Sequence, residues 1–257
     1  MSAGRPPAAG GDPRPWLSVI TVCYNAEALL PGTLASLRAQ QVEGVEWVVV
    51  DGASRDGSLA WLQAQQPQVL LSEPDKGIYD AMNKAVQLAH GEWLYFLNAG
   101  DTFADAQVLA DVKQALQAQP RAELAWGDVL YFGERGERLR RFHWLTRQRL
   151  LFGDLCHQAA FARRSLFERH GHYDTNLRWN ADFDWFLRVF SAGTRLHYFP
   201  RVVARFHDAG AHVQAAQRCA AERDTVRAKR LPLWAWRWGN LALRVEHRVR
   251  RWLGQAI

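Results

Sequence analysis

Cysteine is scarce in this chain: Cys23, Cys156 and Cys219 are odd in number and far apart among 257 residues. They form neither a disulfide framework nor a zinc-ligand pattern, so a reducing compartment is expected. Long apolar runs are missing too. No stretch reaches the roughly 18 residues of a membrane-crossing helix, and the start shows no charged-then-apolar leader. A cytoplasmic protein that does not span a membrane is the expectation. There is no internal repeat, no zinc-finger pattern and no RNA-binding signature. A nucleic-acid partner is therefore not expected, despite a net charge of +6 and a pI near 9.5. The basic residues gather late, around 135–149 and 227–251, an end-loaded charge that suits acidic lipid or phosphate partners.

What is present is an ordinary globular composition, 48% hydrophobic and 23% charged, with length enough for one large domain or two small ones. Residues 1–15, MSAGRPPAAGGDPRP, are rich in Pro, Gly and Ala and are expected to be disordered. The first half then alternates apolar strand-like runs with helical patterns, which predicts an α/β fold whose mainly parallel sheet is flanked by helices. LSVITVC (Leu17–Cys23) reads as a buried strand, and Asn25 is placed to cap the helix carrying Leu30, Leu34 and Leu37. Further strands are expected at 46–50, 69–71, 93–97, 124–126 and 195–199. Helices are expected at 57–66, 78–90 and 180–192, with another that Asp105 caps. The predicted division is a catalytic domain over 16–210, with a nucleotide-binding half 16–128 and an acceptor-side half 129–210, then a tail over 211–257.

Asp51 and Asp101 each stand just past an apolar run, the first opening DGASRDG and the second closing NAGD. Ligands of open α/β sheets bind outside the carboxyl ends of the strands, where two carboxylates suit a nucleotide and the metal that neutralises its phosphates. Asp51, with Ser54 and Asp56, serves equally well as a helix cap, and the two readings stand level. In SEPDKGIYDAMNK (72–84), Asp75 and Lys76 are candidates to meet a nucleotide at a helix start, whereas Asp80 and Lys84 read as a surface pair. Asp101 supplies the single hard carboxylate that Mg²⁺ takes beside phosphate oxygens, and Gly100 permits close approach. Asp182 and Asp184 open the NADFDWFLR helix two residues apart, so only one is expected to reach a site. A buried carboxylate among aromatics there would have the raised basicity of a general base. His157 and His207 are each more often structural than functional as solitary histidines; the first could line an acceptor pocket, the second approach a metal.

Taken in order, VITVCYN, VVVDGASRDG, SEPDKGIYDAMNKAV, GEWLYFLNAGD and NADFDWFLR resemble the family 2 glycosyltransferases of GT-A fold, over about residues 17–210. The wording of SEPDKGIYDAMNK and LNAGD is similar to the bacterial subgroup that builds exopolysaccharide and other surface glycans. The resemblance implies transfer from a nucleotide sugar to a glycan or a polyprenyl-diphosphate-linked sugar, by a single inverting displacement. It implies Asn25, Asp51, Asp75, Lys76 and Asn98 around the donor, Mg²⁺ or Mn²⁺ at Asp101 with His207 nearby, and Asp182 as the catalytic base. The chain departs from the family wording at Gly52, Asn98, Gly100 and Ala181, where acids are common, and at FHDAGAH (206–212), where a Gly-Gly segment is usual. Those departures keep open a catalytically weak nucleotide-sugar-binding module. A nucleotidyltransferase ranks lower, because CYNAEALLPG lacks the Gly-rich, Arg- and Lys-bearing phosphate loop of that class.

In the tail, Trp234, Trp238, Leu241, Val245, Val249 and Trp252 recur at helical spacing, with Arg237, Arg244, Arg248 and Arg251 off that stripe. This amphipathic pattern suits a helix lying on an anionic membrane, here the inner face of the cytoplasmic membrane. A helix packed on the domain or on a second subunit is the lesser alternative.

Overall fold

The computed structural model describes residues 14–133, 136–150, 155–207 and 216–230. The tail stripe within 231–257 and most of the 1–15 segment lie outside the described residues.

β1 (Leu17–Cys23) is buried along all seven residues, as its β-branched composition requires of a strand covered on both faces. α1 (Leu30–Arg38) takes Pro31 in its first turn and buries Leu30, Thr33 and Leu34. β2 (Val45–Asp51), α2 (Ser58–Gln65) and β3 (Val69–Ser72) follow. α3 (Ile78–Leu88) buries Tyr79, Met82, Ala85 and Val86 on one stripe, and β4 (Trp93–Phe96) is wholly buried. Strand alternation assigns the layers. Trp47 and Val49 join the cluster that holds Leu30, Leu34 and Leu62, while Val48 and Val50 join the one that holds α3.

The second half contributes β5 (Thr102–Phe103), α4 (Val108–Ala118), β6 (Leu124–Phe132), β7 (Arg138–Arg140) and α5 (Arg147–Leu150). A 3₁₀ turn at His157–Ala159 leads into β8 (Ala160–Arg163), then α6 (Arg164–His170), α7 (Ala181–Ser191), β9 (Leu196–His207) and α8 (Ala216–Arg230). Among the described residues the strands form one sheet in the order β3-β2-β1-β4-β8-β6-β9-β5, with β7 on β6. The first four run parallel and end level, Cys23 opposite Asp51 and Asp51 opposite Ser72. Beyond β4 the sheet is mixed. β8, reached through the 3₁₀ turn, runs antiparallel to β4, with Tyr95 opposite Phe161. Tyr95 stacks there between Phe103 and Phe161, with ring centroids 5.3 and 4.4 Å away.

Two strands outrun their expected lengths. β6 continues to Phe132 and β9 to His207, past Pro200, because a bulge around Gly127 resets their register. A Cβ at Gly127 would lie 2.4 Å from the Arg201 carbonyl oxygen, so the strands approach only over a glycine. The segment CHQAAFARRSLFERHG, to which the sequence pattern assigns no element, holds the 3₁₀ turn, β8 and α6. No helix among the described residues is long and apolar enough to cross a membrane.

Glycine is also obligatory where α3 turns into β4. A Cβ on Gly91 would lie 2.5 Å from both the amide nitrogen and the hydroxyl of Ser18, against the buried backbone of β1. Gly91→Ala is expected to destabilise the protein by about 1–3 kcal/mol, the usual cost of overpacking, read as a lower urea midpoint with unchanged slope. An unchanged midpoint would show that β1 and β4 tolerate separation there.

Candidate active site

The loops after β1, β2, β3 and β4 meet along one edge, because the parallel register brings their carboxyl ends level. Asp51 closes β2 and is wholly buried. Its carboxylate accepts hydrogen bonds from the Ser54 amide (3.1 Å), the Ser54 hydroxyl and the Ser72 hydroxyl (2.7 Å), and the Cys23 thiol stands 3.6 Å away. Burial, then the Asp51 charge, pushes the Cys23 thiol up to about 12, leaving it inert.

Asn25 is not a helix cap. α1 begins five residues later, and Asn25 sits at φ 48° with its side-chain oxygen accepting the Arg55 amide at 2.8 Å. Its own amide donates to the Ser54 hydroxyl, also at 2.8 Å. Two non-glycine residues in left-handed backbone, Asn25 and Ala53 (φ 59°), therefore stand on adjacent loops at this edge. Helix α2 is reached through Asp56, whose carboxylate accepts the Ser58 amide at 3.0 Å. Asp105 likewise accepts the Gln107 amide (2.9 Å) instead of capping α4, whose own cap position is Gln107.

Asp75 accepts the Gly77 amide through Oδ1 at 2.8 Å, while a Cβ at Gly52 would lie 2.3 Å from Oδ2. The missing side chain at 52 is thus the space that Asp75 fills from the next loop. Tyr24 flanks the same spot and is 58% exposed, an unusual setting for so large a ring. The Lys76 side chain is exposed. Lys84 is tied down, to Glu73 at 2.8 Å and to the Pro74 carbonyl at 2.8 Å, as a structural pair.

The loop after β4 is buttressed from α1: the Thr33 hydroxyl donates to the Asp101 carbonyl and accepts the Gly100 amide, both at 2.9 Å. Gly100 has φ 94°, which favours glycine. Asp101 is 8% exposed, and its carboxylate receives the Gln158 amide at 3.2 Å. Burial pushes its pKa up to about 6, against the opposing pull of His157 and Gln158. The Asn98 side-chain nitrogen lies 3.0 Å from His157 Nε2, and its buried oxygen Oδ1 has no hydrogen-bond partner.

Asp182 stands in the first turn of α7. Tyr79 donates its hydroxyl proton toward Asp182 Oδ1 at 2.9 Å, the Phe183 amide donates to the same oxygen at 2.9 Å, and His157 Nδ1 lies 3.1 Å from Oδ2. With Nε2 accepting from Asn98, the ring proton sits on Nδ1 and points at Asp182. Burial acts to raise the Asp182 carboxyl, but the hydrogen bonds from His157, Tyr79 and the Phe183 amide outweigh it and hold the carboxyl below its usual range. The raised basicity expected from the sequence is therefore corrected: aromatics partly bury this acid, and directed donors keep it ionised. Asp184 faces away, wholly buried against Arg188 (3.1 Å) and Arg230 (2.7 Å), as the i, i+2 spacing requires. His207 ends β9 opposite Phe132, and its side chain lies outside the described residues.

The structure thus brings Asn98, Asp101, His157 and Asp182 together, with Asn25, Asp51, Asp75 and Lys76 along the neighbouring loops. Tyr79 is not singled out by the sequence, and Gln158 is only as the residue following His157. Among the described residues no three His, Cys, Asp or Glu side chains converge to enclose a metal. The donor set present does fit a cation shared with a ligand: Asp101 is a costly buried carboxylate and Asn98 Oδ1 an orphaned hard oxygen.

An open α/β sheet with acids outside its carboxyl edge has its candidate ligand site where such folds bind ligands. The chain belongs to glycosyl transferase family 2, whose profile matches residues 18–171. It is 36% identical over 206 residues to a PGL/p-HBAD biosynthesis glycosyltransferase of Mycobacterium bovis, covering 76% of this chain and 78% of that protein. In fold it is similar to Staphylococcus aureus TarS 1-349 in complex with UDP-GlcNAc (TM-score 0.67, 18% identity), over 83% of this chain and 70% of that one. It is also similar to the mannosyltransferase PcManGT of Pyrobaculum calidifontis in complex with GDP-Man and Mn²⁺ (TM-score 0.64, 20% identity), over 91% of this chain and 76% of that one. The fold is GT-A, and the protein is a family 2 glycosyltransferase. The family profile ends before Asp182, so that residue rests on its geometry.

A carboxyl raised in the folded protein makes the native state bind more protons than the unfolded chain between about pH 4 and 6. Its stability contribution is present at low pH and lost as pH rises through about 6. In EDTA, Asp101→Asn is therefore expected to be more stable than the wild type at pH 8, by up to about 3 kcal/mol, and to lose that advantage near pH 4. Thermal melts across this range test it; a constant difference would contradict the assignment.

Proposed function

We propose that this enzyme catalyses an inverting, metal-dependent transfer of a sugar from a nucleotide-sugar donor to a hydroxyl of a glycan or polyprenyl-diphosphate-linked acceptor. The observation that carries the reading is the chain Asp182–His157–Asn98, which puts an ionised carboxylate one imidazole away from the loop bearing Asp101. The donor's nucleoside would lie across the loops of Asn25, Asp51, Asp75 and Lys76. Asp51 would act there by shaping its loop, since its oxygens are already engaged, and the ring of Tyr24 offers a face on which a base can stack. The nucleotide-sugar complexes of the two structural neighbours support this donor class.

Asn98 and Asp101 would hold Mg²⁺ or Mn²⁺ together with diphosphate oxygens, and the ion supplies positive charge where the leaving nucleoside diphosphate gathers its negative charge. The acceptor hydroxyl oxygen attacks the anomeric carbon from the face opposite the diphosphate, and the carbon–oxygen bond to the diphosphate breaks. The acceptor's proton passes to Asp182 Oδ2, which keeps a lone pair free beside His157 Nδ1. Because Asp182 is a weak base, that proton moves once bond formation has made the acceptor oxygen acidic. The acceptor class and a site at the inner face of the cytoplasmic membrane follow from the family resemblance and from the basic, aromatic tail. The mycobacterial relative's part in PGL/p-HBAD biosynthesis supports a role in surface glycans.

Asp182→Asn is expected to bind donor normally and to lose about 10²- to 10⁴-fold in turnover, the usual contribution of a positioned base. Turnover equal to wild type would remove Asp182 from the role. For Asp101→Ala, the expected loss is the Mn²⁺-dependent part of the thermal shift produced by a nucleoside diphosphate. A full Mn²⁺ response in that variant would move the cation elsewhere.

A further inference from the structure

We propose that Glu222, on the late helix α8, is a positioning residue for Asp182; this rests on the reading of Asp182 as the base. Helix α7 starts without a side-chain cap of its own, although its leading amides need acceptors. Glu222, 42 residues further along, accepts the amide of the cap residue Asn180 and those of the two residues before it. Its Oε1 accepts the Arg178 amide at 2.7 Å, and its Oε2 accepts the Trp179 and Asn180 amides, both at 2.9 Å. One carboxylate thereby fixes three consecutive peptide groups that end two residues before Asp182. The Trp179 carbonyl in turn lies 2.9 Å from the Tyr79 hydroxyl, the same hydroxyl that meets Asp182 Oδ1. Glu222 acts on the base through this turn and through Tyr79, without touching it.

The rest of α8 reinforces the same point. Asn180 is 1% exposed, and both ends of its amide are held by α8: Nδ2 donates to the Cys219 carbonyl at 2.9 Å, and Oδ1 accepts Arg223 Nε at 3.0 Å. Arg230 grips Asp184 one turn into α7, at 2.7 and 3.0 Å. Among the described side chains of α8 only Val226 is a fully buried apolar one, so polar, directional contacts set where this helix docks. Such contacts fix a turn's position more narrowly than apolar packing, which tolerates sliding.

The test uses the full chain and follows nucleoside diphosphate release from UDP-, GDP- and dTDP-hexoses, taking forward the donor that the wild type consumes. Well below its melting temperature, Glu222→Ala is expected to lose about 10- to 100-fold in kcat, with donor KM within about twofold, the pattern of a displaced catalytic group. The acid limb of its kcat profile should also move to higher pH, because a displaced Asp182 moves away from the donors, His157 first and then Tyr79, that hold its carboxyl low. Glu222→Gln, which retains one acceptor oxygen, should fall between, and it decides the matter if the alanine variant does not fold. The exposed Lys229→Ala should match the wild type. A lower melting temperature with kcat and acid limb unchanged would reduce Glu222 to a structural role and overturn the proposal. Asp182→Asn run alongside separates the two readings: full turnover in that variant removes the base itself, whereas its loss with normal Glu222 variants refutes only the brace.

Discussion

The His157 ring is held between a donor and an acceptor, and this single arrangement makes one site out of two stretches of chain. Asn98 comes from the loop after β4, and Asp182 from a helix more than eighty residues later. Neither would be near the other without the antiparallel entry of β8 beside β4, which sets His157 at the carboxyl edge of the sheet. The stacking of Tyr95 between Phe103 and Phe161 anchors that entry, and the Tyr95 hydroxyl donates to the Gln158 carbonyl at 2.8 Å. Core packing thus fixes the backbone of the His157–Gln158 turn, and that turn fixes the polar contacts of the site.

Two carboxylates that meet the His157–Gln158 turn are driven in opposite directions. Asp101 is buried with a single amide partner, and desolvation raises it. Asp182 is only partly buried, and donors from His157, Tyr79 and the Phe183 amide lower it. Environments that push two acids apart assign them different work. The raised one gains most from a cation and anionic oxygens brought by a ligand. The lowered one is kept ionised in advance and needs no such neutralisation. On the loops after β2 and β3 the same economy of acids recurs, with Asp75 filling the space above Gly52 while Asp51 holds the loop together from within.

Much of this was legible in the chain. The parallel half was readable because its strands are short, β-branched and separated by helices of clear periodicity, so Leu17–Cys23 and the helix from Ile78 fall where the pattern puts them. The second half was opaque for definite reasons. β6 and β9 pair across a bulge at Gly127 and past Pro200, features that read locally as strand breaks. Asn25 has the composition of a cap, but its left-handed backbone directs it to Arg55 on a neighbouring loop. The acids at the strand ends could be located from sequence, whereas the sense of their pKa shifts depends on partners such as Tyr79 and His157 that only folding supplies. Glu222 carries no local signal at all, since its role exists only through three amides brought from another element.

The central claim is that Asp101 and Asp182 divide the work of one site, one toward a cation and one toward the acceptor's proton. The most direct measurement is an anomalous-scattering map of crystals grown with Mn²⁺ and a nucleoside diphosphate. The account predicts a peak bridging Asp101 and the diphosphate, with Asn98 Oδ1 turned to the ion and His157 still bonded to Asp182. A peak remote from Asp101, or a nucleotide whose diphosphate lies away from Asp182, would contradict it.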